Sequence, residues 1–461
     1  MVYKIKGVSI MQDRSNVLEL FVQKKDYFEE RVARGIENYR KGDAKIVITN
    51  KEGKPIPNVT LKVKQKTHEF RFGANIFMLD EFETPEKNDL YKCYFPEIFN
   101  MATLPFYWNA LEPERGVLRY EKDSPKIYRR PAPDLCIEFC EKRGIEPREH
   151  ALAYDGFYPS WLYDSSVEEC KKELERRFSE IAERYADKIR TIEVTNELDW
   201  LRGRTALYRA PDYLEWCLRL AEKYFPNNQI AINECPGLSW RDKCRTTDKY
   251  YSYTEAALLK GARIDAIGMQ YHLFYRREAE YEKTRLMLDP ENLYKHMDLY
   301  ARLGKQLQIT EITIPAYSNC AYDEEMQAEI AEKVYSVWFS HQNVDQIIYW
   351  NLVDGYAHVS SSDPEVIRAS QGNMTLGENY YYGGLFRFDM TPKPIYNRLK
   401  NLIQKVWHTE AELVSNESGN ASFRGFYGKY TIEITGNGHS ESKEIFLSKN
   451  KENTFNISID I

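Results

Sequence analysis

Two glutamates stand at the ends of short stretches that have the composition of buried strands. Residues 191–195 are mainly β-branched, and Asn196 and Glu197 follow them directly. Residues 306–310 form a second, apolar-leaning stretch that ends at Glu311. A carboxylate at the end of a buried strand costs free energy unless it is paired or does chemistry. Glycoside hydrolysis uses a pair of carboxyl groups, one as acid and base and the other as nucleophile or base. Both glutamates are therefore candidate catalytic residues, and a salt-bridged glutamate at a strand end is the alternative for each.

The two glutamates lie 114 positions apart, so only the fold can bring them together. In a barrel of parallel strands, the carboxyl ends of all strands converge on one face. Strand and helix patterns alternate along this chain, which favours an α/β fold, a (β/α)8 TIM barrel, over a doubly wound sheet. The predicted barrel strands cover residues 70–76, 99–104, 146–153, 189–196, 229–233, 265–270, 306–310 and 346–350. Amphipathic helices are predicted at residues 167–185, 213–225 and 326–340.

Both ends of the chain are expected to lie outside this barrel. Residues 1–67 contain a helical pattern and then two strand patterns, at 45–49 and 59–63, whose intervening turn residues predict a β-hairpin. Residues 408–461 combine turn residues with short strand patterns. We therefore predict a catalytic barrel at 68–407, flanked by two accessory parts that pack together as one small β-sandwich.

Composition excludes several classes of protein. The chain has 461 residues and a net charge of −6 without a basic stripe, which argues against nucleic acid as a partner. No run of about 18 apolar residues predicts a membrane span, and residues 1–6 lack the apolar core of a signal peptide. The protein is therefore expected to be cytoplasmic, or secreted or periplasmic with its leader removed. The 8 cysteines form no CxxC pair, and neither a metal nor another cofactor is expected.

Seven motifs occur along the chain in an order that is typical of one family. They are Trp108-Asn109-Ala110-Leu111-Glu112-Pro113-Glu114-Arg115-Gly116; Arg148-Glu149-His150 with Pro159-Ser160-Trp161; Asn196-Glu197; Gly268-Met269-Gln270-Tyr271-His272; Ile309-Thr310-Glu311; Tyr349-Trp350; and Leu385-Phe386-Arg387-Phe388-Asp389 followed by Pro392-Lys393-Pro394-Ile395-Tyr396. Over about residues 70–406 the chain resembles glycoside hydrolase family 10, whose best-known members are β-1,4-xylanases. One such motif is weak evidence, whereas seven in order are strong evidence for fold and reaction class.

The resemblance implies a retaining mechanism. Glu311 attacks the anomeric carbon as the nucleophile, while Glu197 protonates the leaving oxygen and later deprotonates water. This chemistry needs the two carboxyl groups about 5–5.5 Å apart. It also needs Glu197 protonated and Glu311 charged near neutral pH.

Five side chains are implied to bind a carbohydrate substrate or to orient the nucleophile. They are Asn196 at the 2-hydroxyl of the sugar, His150 at the −1 sugar, Trp350 beneath that sugar, Gln270 at the carboxylates or the sugar, and His272 against Glu311. For the two histidines and the tryptophan, the alternative is an ordinary residue of the core.

The chain departs from the family where a polymer is held. Residues 104–107 lack the Asn and Lys that usually precede the early tryptophan, and Tyr154 and Asp155 replace a Trp and a His. Tyr271 replaces a small residue, and Thr313 replaces an Asp. Without these buried donors, affinity for the usual polymer is lost.

Aromatic residues near the early tryptophan and on the Gln-His strand are expected to reshape the cleft. Tyr107 and Tyr271 are bulky, and we expect them to narrow it into a pocket. With Trp108 they complete the predicted substrate-binding residues. The expected substrate is accordingly a modified, short or aryl-linked β-glycoside and not plain xylan.

Other readings remain open at this stage. The altered residues also fit a carbohydrate-binding protein without catalysis. A metal-dependent amidohydrolase would need His-x-His at the first strand end, where residues 72–75 offer none. Glu234, after Asn233 at another strand end, is a third carboxylate that either binds substrate or competes for the acid role. Residues 378–384 hold three Tyr beside two Gly, as a mobile rim that stacks on sugar or as a packed surface loop.

Overall fold

Strands form the centre of the molecule and also most of its two ends. The computed structural model describes residues 13–199, 203–235, 240–241, 248–361, 363–436 and 438–459. Residues 1–6, where no signal peptide is expected, lie outside the described residues. The strands in chain order are β1 (Lys41–Thr49), β2 (Thr60–His68), β3 (Arg71–Asn75), β4 (Met101–Pro105), β5 (Glu146–His150), β6 (Thr191–Asn196), β7 (Gln229–Glu234), β8 (Ala266–His272), β9 (Gln306–Thr313), β10 (Val344–Tyr349), β11 (Glu410–Val414), β12 (Asn420–Phe426), β13 (Gly428–Gly436), β14 (His439–Leu447) and β15 (Thr454–Ser458).

Strands β3 to β10 close into a parallel barrel in the order β10-β3-β4-β5-β6-β7-β8-β9. These strands are almost fully buried, because one set of side chains fills the barrel and the other lies under the helices. The parallel register sets Asn196 of β6 beside Asn233 of β7, and Gln270 of β8 beside Glu311 of β9. The predicted (β/α)8 barrel is confirmed, and its register brings the polar strand ends to one face.

Helices alternate with the barrel strands and cover their outer face. Their bounds are Glu19–Gln23, Lys25–Tyr39, Pro85–Ile98, Trp108–Leu111, Pro133–Arg143, Val167–Tyr185, Tyr213–Tyr224, Lys249–Leu259, Glu280–Thr284, Pro290–Ala301, Ala321–Ser340, Pro364–Ser370 and Pro394–Asn401. The helix Val167–Tyr185 has its predicted bounds because a reciprocal Ser166–Glu169 capping box starts it. Within the described part of the chain, no helix is both long enough and apolar enough to cross a membrane.

The N-terminal helices pack on the barrel. Phe21 and Phe28 belong to the same hydrophobic core as the barrel strands. The buried Arg14 just before these helices pairs with Glu280, with Nε 3.0 Å from Oε2. The predicted grouping of all of residues 1–67 with the accessory domain is therefore corrected. The helical part belongs with the barrel, because its apolar stripe is buried there.

Two small sheets form the accessory domain. In one sheet β1 lies between β12 and β15, and in the other β2 lies between β11 and β13, with β14 beyond β13. Their inner faces share a separate core that includes Ile46, Leu61 and Ile432. A small β-sandwich from both chain ends is thus present, as predicted. The predicted β1–β2 hairpin is wrong: each strand turns an alternating apolar face toward the other sheet, and each pairs with C-terminal strands.

Candidate active site

A cleft of about 1100 Å³ opens at the carboxyl ends of the barrel strands. Glu197, directly after β6, and Glu311, within β9, both line it. The other predicted site residues on its walls are Asn196, His150, Gln270, His272, Trp350 and Tyr107. The fold therefore brings two carboxyl groups, two histidines and four other side chains able to contact sugar to one place.

Gln270 joins the two carboxylates. Its Nε2 atom lies 3.1 Å from Oε1 of Glu197 and 2.9 Å from Oε1 of Glu311. Since one nitrogen contacts both oxygens, these oxygens cannot be more than about 6 Å apart, which is below the ~6.5–9.5 Å separation that leaves room for a water between the carboxyl groups.

Glu311 is surrounded by nitrogen donors. Asn233 Nδ2 and Gln270 Nε2 donate to Oε1 at 3.0 and 2.9 Å, and His272 Nε2 lies 3.3 Å from Oε2. Asn233 Nδ2 also donates to Asn196 Oδ1 at 2.9 Å. Asn233 has no predicted role at the nucleophile. The signal for it is the repeated Asn-Glu pair, since residues 196–197 and 233–234 end neighbouring strands at the same register.

Glu197 is held by different groups. Its backbone has a φ of 54°, a left-handed conformation that costs a non-glycine residue about 1 kcal/mol. The Tyr154 hydroxyl donates to its Oε2 atom. Tyr154 stands where the family usually has another residue, and the sequence comparison treats it only as a loss. In the structure it contacts the carboxyl group of Glu197 directly, a candidate functional contact that the motifs do not reveal.

The surroundings of Glu311 work against the charged form that the resemblance implies. Burial raises the pKa of Glu311 well above its usual range, and the positive field of His150 opposes this less than burial promotes it. The nearby carboxylate of Glu197 raises the pKa of Glu311 further. The nitrogen donors around Glu311 and the field of His150 are therefore the groups that favour its ionised form.

A buried ion pair of Glu193 and Arg148 holds His150 in place. Burial lowers the pKa of His150, but the Glu193 carboxylate, with Oε1 2.8 Å from Nδ1, outweighs burial and holds that pKa above its usual value. Arg148 pairs with the other oxygen of Glu193 at 2.5 Å. The Nε2 atom of His150 contacts the Tyr107 hydroxyl at 3.1 Å. An imidazole that Glu193 holds in place, and whose charged form Glu193 favours, thus faces the cleft beside Glu311.

Burial keeps His272 neutral, since it lowers the pKa of the ring to about 4. Its Nδ1 atom lies 3.0 Å from the Thr313 hydroxyl, a group that can donate to a ring nitrogen. The ring can then carry its proton on Nε2 and donate to Glu311. A carboxylate at position 313 would instead hold the proton on Nδ1 and favour the cationic ring.

We expect Thr313→Asp to raise the pKa of His272 by about one pH unit or more, because a carboxylate beside Nδ1 stabilises the imidazolium. Over the pH range in which the ring is cationic, it lowers the pKa of Glu311, so the acidic limb of the kcat/KM profile shifts to lower pH. Ring-proton NMR titration of His272 measures the first effect and a pH–rate profile the second. Thr313→Val is the matched control, since it removes the hydroxyl without adding charge. A His272 pKa that stays near 4 in the Asp variant contradicts this account.

Two predicted site residues lie away from the cleft. Tyr271 is fully buried, and its hydroxyl donates to the carbonyl of Met287. Trp108 is 2% exposed, and its indole nitrogen donates to Glu112 at 2.8 Å. Successive strand residues face opposite sides, so Gln270 and His272 point into the barrel mouth while Tyr271 points to the helices. The prediction that these two residues contact substrate is therefore corrected, whereas Tyr107 does line the cleft.

Glu234 is the third carboxyl group of the cleft. Burial raises its pKa to about 7. It accepts from the backbone N–H of Asp199 at 2.7 Å and from the Tyr253 hydroxyl at 3.0 Å. Neither of these contacts joins Glu234 to Glu197 or Glu311. Of the predicted rim at 378–384, Glu378 lines the cleft. Within the described residues, no three or more His, Cys, Asp or Glu side chains are grouped to hold a metal ion.

The sequence matches a family model and several curated relatives. The model described as Glycosyl hydrolase family 10 matches residues 77–402. Anti-sigma-I factor RsgI6 from Acetivibrio thermocellus is 22% identical over 439 residues, which cover 93% of this chain and 50% of that protein. Endo-1,4-beta-xylanase B from Thermotoga neapolitana is 24% identical over 307 residues, which cover 65% of this chain and 78% of that protein. This chain thus spans half the length of the first relative.

The fold also matches solved structures. The crystal structure of native xylanase 10B from Thermotoga maritima has a TM-score of 0.57 with this chain at 22% sequence identity. The match covers 73% of this chain and 96% of that one. At this level of identity, the likeness supports the barrel architecture.

Proposed function

This chain belongs to glycosyl hydrolase family 10, and on that premise we propose that it is a retaining glycoside hydrolase. Its substrate is a β-linked xyloside or a related β-glycoside. Glu311 is the nucleophile, and Glu197 is first the general acid and then the general base. The observation that carries the proposal is the contact of a single amide nitrogen, Gln270 Nε2, with both carboxylates.

The spacing of the carboxyl groups supports retention. A separation of about 5–5.5 Å lets one carboxylate attack the anomeric carbon while the other protonates the leaving oxygen. Both Oε1 atoms lie within hydrogen-bonding distance of Gln270 Nε2. An inverting enzyme holds a water between carboxyl groups that lie about 6.5–9.5 Å apart, and a shared amide contact fits the shorter separation better.

The donors around the pair support the assignment of roles. Asn233, Gln270 and His272 all direct nitrogen atoms at Glu311, and N–H donors stabilise the ionised oxygen. Glu197 has the Tyr154 hydroxyl, a group that can donate or accept. Glu197 is therefore assigned the proton that passes to the leaving oxygen. Loss of that proton to the leaving oxygen leaves Glu197 ready to take one from water.

The cleft also provides contacts for one sugar ring beside the carboxyl pair. Asn196 Oδ1 accepts from Asn233 Nδ2 and Gln270 Nε2, at 2.9 and 3.3 Å. Its amide nitrogen is therefore the group available to a sugar 2-hydroxyl, a contact that strengthens in the transition state. Trp350 and His150, with ring centroids 5.4 Å apart, supply the floor and an imidazole donor.

The altered end of the cleft supports a modified, short or aryl-linked substrate. Tyr107 packs its ring 4.5 Å from Phe157 and 5.8 Å from Phe77, measured between centroids. Tyr107 offers one hydroxyl, which already contacts His150, where the family usually has an Asn and a Lys to hold the next sugar of a plain chain. The enzyme should therefore turn over an aryl β-xyloside or aryl β-glucoside more efficiently than linear xylan.

The test follows the first product formed. We expect proton NMR of the reaction on an aryl β-xyloside to show the β-anomer first, with the α-anomer appearing later by mutarotation. The same preparation is assayed on an aryl β-glucoside and on linear xylan. Initial release of the α-anomer contradicts the double displacement. Strong endo cleavage of linear xylan contradicts the substrate assignment while leaving the mechanism intact.

A further inference from the structure

Two arginines form a cationic wall at one end of the cleft. Arg129 and Arg130 both line it, on the segment between the helices Trp108–Leu111 and Pro133–Arg143. Arg129 is 4% exposed and Arg130 is half-buried. Adjacent guanidinium groups repel each other and lose hydration when they are buried, so the pair is unfavourable unless an anion joins it.

The arginine pair has no carboxylate partner among the described residues. Arg129 Nη1 donates to the carbonyl of Tyr356, and Arg130 Nη1 donates to the carbonyl of Arg129 at 2.9 Å. The Nε atom of Arg129 is buried and, within the described chain, has no hydrogen-bond partner. The carboxylate of Glu378 on the same cleft accepts from Asn351 Nδ2 at 2.7 Å instead. Donors of the pair are thus left over for a ligand.

The Tyr107 ring connects the arginine pair to His150 beside the two carboxyl groups. The guanidinium carbon of Arg130 lies 3.7 Å from the centroid of the Tyr107 ring, whose hydroxyl contacts His150. Arg129 stands over Phe77 at 5.6 Å. Burial lowers the pKa of Arg130 to about 10, with Tyr107 opposing that effect, so the group remains charged at neutral pH. The aromatic faces offset part of the free-energy cost of burying these charges, but they do not use the N–H donors of the guanidinium groups.

A second cavity adjoins the cleft behind the arginine pair. It has a volume of about 210 Å³ and shares Arg129, Arg130, Phe157 and His358 with the cleft. The hydroxyl of Tyr128 on its wall is buried and lacks a hydrogen-bond partner in the described chain. The space suits one substituent of the substrate and not a continuing chain.

We propose that Arg129 and Arg130 recognise the carboxylate of a uronic acid unit on the substrate. The inference rests on the proposed hydrolase function and names the modification that distinguishes the substrate from plain xylan. A planar guanidinium matches the two oxygens of a carboxylate, and a charge-assisted pair of this kind is strong in a dry site. A neutral branch in the same cavity leaves buried donors unpaired, which selects against it.

The test compares two substrates that differ in one group. One is a β-1,4-linked xylo-oligosaccharide with a single glucuronic acid branch, and the other is the same oligosaccharide with its carboxyl group reduced to an alcohol. We expect the wild-type enzyme to prefer the acid by about ten-fold or more in kcat/KM. Arg130→Gln should bring this ratio close to one, and Arg130→Lys, which keeps the charge but not the planar fork, should retain part of it.

Arg276→Gln is the matched control, because Arg276 is an exposed arginine that stacks on Tyr380. It should leave the ratio unchanged. Calorimetric binding of the same two oligosaccharides to each protein gives a readout that does not depend on turnover or on the thermal stability of the variants. Equal kcat/KM and equal affinity for acid and alcohol would overturn the inference while hydrolysis of both upheld the proposed function. Acid-selective binding without hydrolysis would uphold the recognition of the acid and overturn the proposed hydrolase function. A sulfated oligosaccharide of equal charge that outcompetes the carboxylate would overturn the assignment to uronic acid.

Discussion

Replacing Glu311 by glutamine should abolish turnover of every glycoside, with kcat/KM falling on the order of 10⁴-fold or more. The amide keeps the shape of the side chain and can remain within the ring of donors from Asn233, Gln270 and His272. It cannot form the glycosyl-enzyme bond, so substrates with good and poor leaving groups should be affected alike. Steady-state assays on aryl β-glycosides of differing phenol pKa measure this, and calorimetry should show that sugar binding persists.

Glu234→Gln is the matched control for that loss. It removes the same charge from the same cleft, but its carboxylate contacts the wall and not the catalytic pair. We expect a fall of less than about ten-fold. If Glu234→Gln proves as damaging as Glu311→Gln, the third carboxylate has taken a catalytic role and the pairing argued above is wrong. If Glu311→Gln leaves turnover unchanged, Glu311 is not the nucleophile. A protein that only binds carbohydrate would have no turnover to lose.

The second large effect is expected for Glu197→Ala, and here the loss should depend on the leaving group. A poor leaving group needs protonation, so its hydrolysis should fall on the order of 10³-fold or more. An activated aryl group departs without help, so the glycosyl-enzyme should form and then accumulate because no base activates water. A burst of phenol followed by slow turnover is the measurable sign.

Azide separates this mechanism from a simple loss of structure. As an anion it attacks the accumulated glycosyl-enzyme without a general base, so adding it should restore turnover of the activated substrate and yield a β-glycosyl azide. Glu311→Gln should show no such recovery, because the intermediate never forms. Recovery that gives the α-azide would indicate a single displacement and would contradict the retaining assignment.

The barrel and the meeting of Glu197 and Glu311 in one cleft could be predicted because both depend on local pattern. Short buried strands that end in polar residues must place those residues at one face once the sheet closes, so Glu197, Glu311 and their immediate neighbours follow from spacing and register. The helix Val167–Tyr185 was predictable to the residue because a capping box and an apolar stripe agree.

Strand pairing and side-chain contacts between distant parts of the chain could not be predicted from the local sequence pattern. The β1 and β2 strands look like a hairpin because they are close in sequence, yet the shared core of the two sheets is completed only by C-terminal strands. The resemblance predicts Tyr271 as a cleft residue, whereas the alternation of side chains along β8 directs it toward the helices. Tyr154 reads as a lost contact, while its reach to Glu197 depends on a loop conformation that the local sequence does not specify.

The pairing of β1 has a consequence for the order in which this protein is made. A ribosome releases β1 and β2 early, but β11 to β13 and β15, which flank them, come from residues beyond 409. Until residues 410–458 have been synthesised, β1 and β2 keep unpaired amide and carbonyl edges, the kind of surface through which nascent chains aggregate. A truncation within residues 410–458 would therefore endanger solubility through β1 and β2, although the barrel strands β3 to β10 would already be complete.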